Sequence, residues 1–189
     1  MSAVHEAILK CLTDNVAARS EWNEPPALYL VILRGGEPAL EELPIAEKEW
    51  RKAPAPRILE QLASGAAVGK LLGTRPPMPT GLHGAAFYSE SWTVPMQDVE
   101  WETVKADAYA RRVSRRPDRV EVRFMTAVDR GGTQYAVMAP RGTHTEAHIM
   151  YPTTNPEGTF ATGSIVESLD ILVQALLDVP MPERPVEPE

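Results

Sequence analysis

Val120-Glu-Val-Arg-Phe-Met-Thr-Ala-Val-Asp129-Arg-Gly-Gly-Thr-Gln-Tyr-Ala-Val-Met-Ala139 is the stretch that decides the fold class. Val120, Val122, Phe124, Thr126 and Val128 alternate with Glu121, Arg123 and Met125, the period-two pattern of a strand with two unlike faces. Asp129-Arg130-Gly131-Gly132 turns the chain, with glycines where positive φ is needed. Tyr135, Val137 and Ala139 then alternate with Gln134, Ala136 and Met138. Two alternating runs around a glycine turn predict a β-hairpin. Pro140-Arg141-Gly142 makes a further turn, and Thr143 to Tyr151 is a candidate third strand.

Upstream, Gly84 to Val94 reads as a strand, with Tyr88, Glu90, Trp92 and Val94 on one face and Phe87, Ser89, Ser91 and Thr93 on the other. Ala27 to Leu33 is continuously apolar, as suits a strand buried on both faces. Between these strands, Leu40 to Gly73 reads as helical pieces, about Pro44 to Lys52 and Pro56 to Val68, parted by Pro54 and Pro56. Thr74 to Gly81 is a stiff, proline-rich connector.

Ser2 to about Arg19 predicts the first helix, with Val4, Ile8, Cys11, Leu12 and Val16 on one face. Asp98 to about Val113 predicts a short one. Ser164-Ile-Val-Glu167 has the form of a capping box and opens a helix to about Asp178. Residues 179–189 are proline-rich and acidic, which predicts a disordered tail. The expectation is a single α+β domain over 1–178, with a largely antiparallel sheet, a C-proximal hairpin and helices packed on one face.

A chain of 189 residues, 43% hydrophobic and 24% charged, is long enough to bury a core in one domain. The net charge of −7 weighs against general nucleic-acid binding and against anionic lipid. No apolar run approaches the roughly 18–20 residues of a membrane span. The N-terminal Met-Ser-Ala-Val-His-Glu lacks a basic region followed by an apolar one, so no signal peptide is expected and a cytoplasmic location is the simplest reading. Cys11 is the one cysteine, which excludes an internal disulfide and a four-cysteine zinc site, and its place in an apolar stripe suits a core thiol. Phosphate-loop, dinucleotide and nucleophile-elbow motifs are absent, so no cofactor is expected. Arginine outnumbers lysine 14 to 5 and there are 18 prolines, a bias of GC-rich genomes.

Three clusters have chemistry to offer. His144, Glu146 and His148 would project from one face of a strand, about 7 Å between successive members, and could form three corners of a metal site. The plainer reading is the polar side of an edge strand. His83, between glycines, could add a ligand or be a surface residue. Glu90 is a candidate general acid or base if its face is buried, or else an ion-pair partner of an arginine such as Arg123. Tyr88 and Trp92 flank it and would make a binding patch. Arg111, Arg112, Arg115 and Arg116 lie in the basic segment that ends at Arg119, which suits phosphate, RNA or an acidic protein, or a solvated helix end.

Glu90 to Trp92, Arg116 to Arg123 and Thr126 to Gly132 give the region from about Gly84 to Gly142 a further meaning. It resembles a group of uncharacterised proteins of actinobacteria and their phages. The resemblance covers about a third of the chain and implies a phage or mobile-element setting, with no site residues to carry over. The leading expectation is a non-enzymatic interaction or accessory protein with an unidentified protein partner. The alternatives are a metal-dependent hydrolase using His144, Glu146 and His148, and nucleic-acid or phosphate binding through Arg111 to Arg119.

Overall fold

The computed structural model describes residues 2–94, 103, 106, 112–150 and 164–177. The element order is α1 (Ala3–Ala17), β1 (Ala27–Arg34), β2 (Glu37–Leu43), α2 (Glu47–Trp50), α3 (Ala55–Leu71), β3 (Leu82–Thr93), a 3-10 turn (Val113–Arg115), β4 (Val120–Asp129), β5 (Gln134–Pro140), β6 (Glu146–Met150) and α4 (Ser164–Leu177). The six strands form one sheet in the order β2-β1-β3-β4-β5-β6, with every neighbouring pair antiparallel. The α+β class, the antiparallel sheet and the β4–β5 hairpin are as the sequence predicts. Within the candidate strand Thr143 to Tyr151, the described residues form a strand over Glu146–Met150. The helix expected at Asp98 and the tail at 179–189 lie outside the described residues, apart from isolated positions.

Two expectations need correction. Leu40–Leu43 belongs to β2 and not to a helical piece. Ala, Leu and Glu favour helix locally, but pairing with β1 overrides that preference, and Pro38 is tolerated because β2 is an edge strand. Helices also cover both faces of the sheet, not one. On one face Ile8, Leu12 and Val16 of α1 pack on Tyr29, Val31, Ala86, Tyr88, Met125 and Tyr135. On the other, Ile58, Leu59 and Ala63 of α3 and Leu169, Leu172 and Val173 of α4 pack on Leu28, Ala85, Phe87 and Val128. The uninterrupted apolar run of β1 follows from this, since neither of its faces meets water.

α3 and α4 run parallel. Ser168 donates to Glu60 Oε1 (3.3 Å) near their starts, and Arg75 Nη1 donates to the Ala175 carbonyl (2.9 Å) at their ends. Glycine is required where β3 meets β4. A Cβ at Gly84 would run into the Val128 carbonyl and the Asp129 Cα. No helix among the described residues is long and apolar enough to cross a membrane.

Candidate functional site

The β3–β4 register sets Glu90 opposite Arg123, Trp92 opposite Glu121 and Tyr88 opposite Met125, on the face that carries α1. Arg123 is only 7% exposed. Its two Nη groups donate to the carbonyls of Arg19 and Glu21, and its Nε lies 3.5 Å from Glu90 Oε1. The guanidinium stands over the Trp22 ring at 4.4 Å, and Arg141 approaches that ring at 5.1 Å. Arg141 also pairs with Glu121 at 2.7 Å. One buried cation therefore fastens the loop that follows α1 to the sheet.

Glu90 completes the fastening. Its Oε2 accepts the Asn23 amide (2.6 Å), where Asn23 takes a positive φ of 68°, a conformation asparagine tolerates better than most residues. Its Oε1 accepts the Tyr88 hydroxyl (2.9 Å). Burial, the hydrogen bond to Glu90 and its charge raise the Tyr88 phenol far above its ordinary range. Both carboxylate oxygens are engaged. The ion pair with Arg123, the plainer of the two sequence readings, is what forms. Tyr88 is fully buried, with Arg19 over its ring at 3.5 Å, and is not a surface contact.

Trp92, two residues further along β3, is 40% exposed, and the Arg119 guanidinium lies 4.8 Å from its ring centre. The 3-10 turn packs against β3, which brings the arginine segment to the same end of the sheet as Trp92. Arg112 and Arg115 are exposed. Arg116 is half-buried and grips Asp118 with two bonds, Nε to Oδ1 at 2.9 Å and Nη2 to Oδ2 at 2.8 Å. That grip holds the Asp118 carboxyl below its usual range. These residues and Pro117 line a shallow, open depression. Arg111 lies outside the described residues. The sequence reading missed Trp22 and Arg141. The signal available was a tryptophan in a short loop otherwise built of charged and small residues, asparagine and proline.

At the far end of β4, Asp129 is 4% exposed. Its Oδ1 accepts the amides of Gly131 (2.8 Å) and Thr133 (3.0 Å), and its Oδ2 accepts the Tyr135 hydroxyl (2.8 Å). His5 Nε2 and His83 Nε2 stand 3.7 and 3.9 Å from Oδ2. Burial pushes the His83 imidazole below its usual pKa, against the pull of Asp129. His83 thus faces this carboxylate and not His144 or His148.

His144 precedes β6, and His148 and Glu146 lie on that edge strand. All three are exposed or partly exposed. The imidazoles approach opposite oxygens of Glu146, His144 at 3.7 Å from Oε1 and His148 at 3.9 Å from Oε2. Among the described residues, no three His, Cys, Asp or Glu side chains form a group that could hold a metal ion. Cys11 is half-buried on α1, and burial raises its thiol pKa, away from nucleophilic use.

A family model described as PPA1309-like protein matches residues 6–176. No curated protein and no solved structure matches the chain.

Proposed function

The chain belongs to the PPA1309-like family, and we propose that it acts by binding another protein, through the tryptophan and arginine surface at the Arg123 end of the sheet. The observation that carries this reading is Trp92: a large aromatic left 40% exposed on a strand, under the Arg119 guanidinium and beside the exposed Arg112 and Arg115. Tryptophan and arginine are the residues that most often dominate binding energy at interfaces. Here both are held by a scaffold that is already ordered, so little freedom is lost on docking. The cationic rim selects a partner segment that carries carboxylates around an apolar side chain.

The setting that fits this reading is the cytoplasm of an actinobacterium, or of one infected by phage. The arginine-over-lysine and proline-rich composition supports it, as does the resemblance of the region from about Gly84 to Gly142. Neither Glu90 nor the His144–Glu146–His148 group offers a convergent open site to compete with the binding reading. The test is affinity capture from an actinobacterial lysate with the full chain and with a Trp92→Ala/Arg115→Glu variant. A partner retained by the wild type and lost by the folded variant supports the surface. Equal capture by both overturns it.

A further inference from the structure

Arg112 to Arg119 holds four arginines and one aspartate. The 3-10 turn in this segment closes with the Arg115 amide donating to the Arg112 carbonyl (2.8 Å). Residues three apart on such a turn stand nearly in line. The exposed side chains of Arg112 and Arg115 therefore leave the turn on one side. Pro117 follows and holds Arg116 extended, at φ −72° and ψ 143°. Arg116 grips Asp118 through two bonds, so the one acid of the segment is already occupied. Arg112, Arg115, Arg116, Pro117 and Asp118 together line an open depression. Arg119 joins that depression to Trp92: its Nη1 donates to the Arg116 carbonyl (3.0 Å), and its guanidinium lies over the indole.

The pairing of two arginines selects among anions. A carboxylate brings one charge and two oxygens, which a single guanidinium fork satisfies. A nucleic-acid phosphodiester also brings one charge per phosphate, and a chain of net charge −7 repels a long polyanion. A phosphate monoester brings nearly two charges at neutral pH and three acceptor oxygens. It can take a fork from each of two neighbouring arginines. Arg112 and Arg115, set side by side by a backbone hydrogen bond, present that arrangement before any ligand arrives.

We propose that the depression binds a phosphorylated serine or threonine of the partner protein, with Arg112 and Arg115 on the phosphoryl oxygens. An apolar neighbour of that residue rests on Trp92. Arg116, tied to Asp118, fixes the rim, and Arg119 spans the two halves of the site. The site deepens the binding reading of the same surface, on which it rests: the partner docks in its phosphorylated form.

The test is binding of the full chain to a degenerate peptide array with a central phosphoserine or phosphothreonine. The same array is made with serine or threonine, and with glutamate, at the centre. The best phosphorylated peptides should bind at least tenfold more tightly than either counterpart. Arg112→Ala/Arg115→Ala should remove that excess with little change in its thermal melt, as exposed side chains allow. Arg115→Lys should lose several-fold, since an ammonium supplies no fork. Absence of a phosphorylated excess anywhere in the array overturns the site. So does an excess that survives the double variant, and so does tighter binding of a single-stranded RNA oligonucleotide. Phosphatase treatment of the lysate separates this site from the surface that carries it. A partner lost by Trp92→Ala/Arg115→Glu but still captured after that treatment overturns the phosphate and leaves the surface standing. Equal capture by the wild type and that variant overturns the surface itself.

Discussion

Arg123 and Asp129 stand six residues apart on one face of β4, each almost fully buried, and the structure meets the two charges in opposite ways. The cation is given acceptors: two loop carbonyls, the Glu90 carboxylate and the face of Trp22. The anion is given donors: two turn amides and a phenol hydroxyl. Burying either charge without such partners would cost several kcal/mol or force it to neutralise. Both ends take their satisfaction mostly from backbone and neutral side chains.

The two ends also share a client. Six strand residues span about 20 Å, and the fifteen residues of α1 span about 22 Å. His5, in the first turn of α1, faces Asp129, and the carbonyl of Arg19, just past the last turn, takes the Arg123 guanidinium. The negative charge lies at the positive end of the helix dipole and the positive charge at the negative end. The ends differ in what lies outside them. Asp129 is closed within its own turn, whereas Arg123 backs onto Trp22, which Arg141 also approaches, and the exposed Trp92 lies two residues along β3 from its partner Glu90; for that reason the binding surface is proposed there.

Arg123→Ala should have the largest effect on stability, about 3–5 kcal/mol by denaturant unfolding, because it leaves Glu90 and two carbonyls without their cation. Arg123→Lys should recover little, since an ammonium cannot reproduce the fork or the stacking. A loss under about 1 kcal/mol would break the comparison. Asp129→Ala should cost less, about 2–3 kcal/mol, because each orphaned donor is neutral. Asp129→Asn should keep the amide contacts to the remaining carbonyl oxygen and lose about half as much. Equal losses for the two substitutions would show that the charge matters more than the turn bonds.

Acid sharpens the contrast further. The His83 pKa is lowered in the folded chain, so the unfolded chain binds the proton first. The stability this group contributes is present above about pH 6.5, the unperturbed imidazole value, and is lost as the pH falls through the lower folded value. Thermal melts of His83→Gln should therefore lose less stability between pH 7 and pH 5 than the wild type. A steeper loss in the variant would contradict the burial of a neutral imidazole. The smallest stability effect should be that of Trp92→Ala, within about 0.5 kcal/mol as for other exposed sites, although capture of the partner is lost. A large stability loss there would make Trp92 a structural residue and remove the binding assignment.

Legibility in the sequence followed the range of the interactions. The β4–β5 hairpin was plain because its pattern and turn are contiguous. The apolar run Ala27–Leu33 already implied a sheet covered on both faces, although the element order suggested cover on one. β2 was misread because its alanine, leucine and glutamate content is helical and its pairing with β1 is tertiary. The Glu90–Arg123 pair was visible as an option, since two strands of the right polarity were in hand. Trp22 was not, because its partner lies about a hundred residues away on β4. Separation along the chain likewise hid the meeting of His5 and His83 at Asp129.

α1 is made early, yet both of its fastenings stand on β4, and Arg123 follows Arg19 by 104 residues. At synthesis rates of about 5–20 residues per second, roughly 5–20 s pass before the helix meets those fastenings. Through that interval Ile8, Leu12 and Val16 lack Met125 and Tyr135, and have at most the β1 and β3 residues Tyr29, Val31, Ala86 and Tyr88 to pack on. The last cover of the amphipathic helix therefore waits on the emergence of β4 and β5.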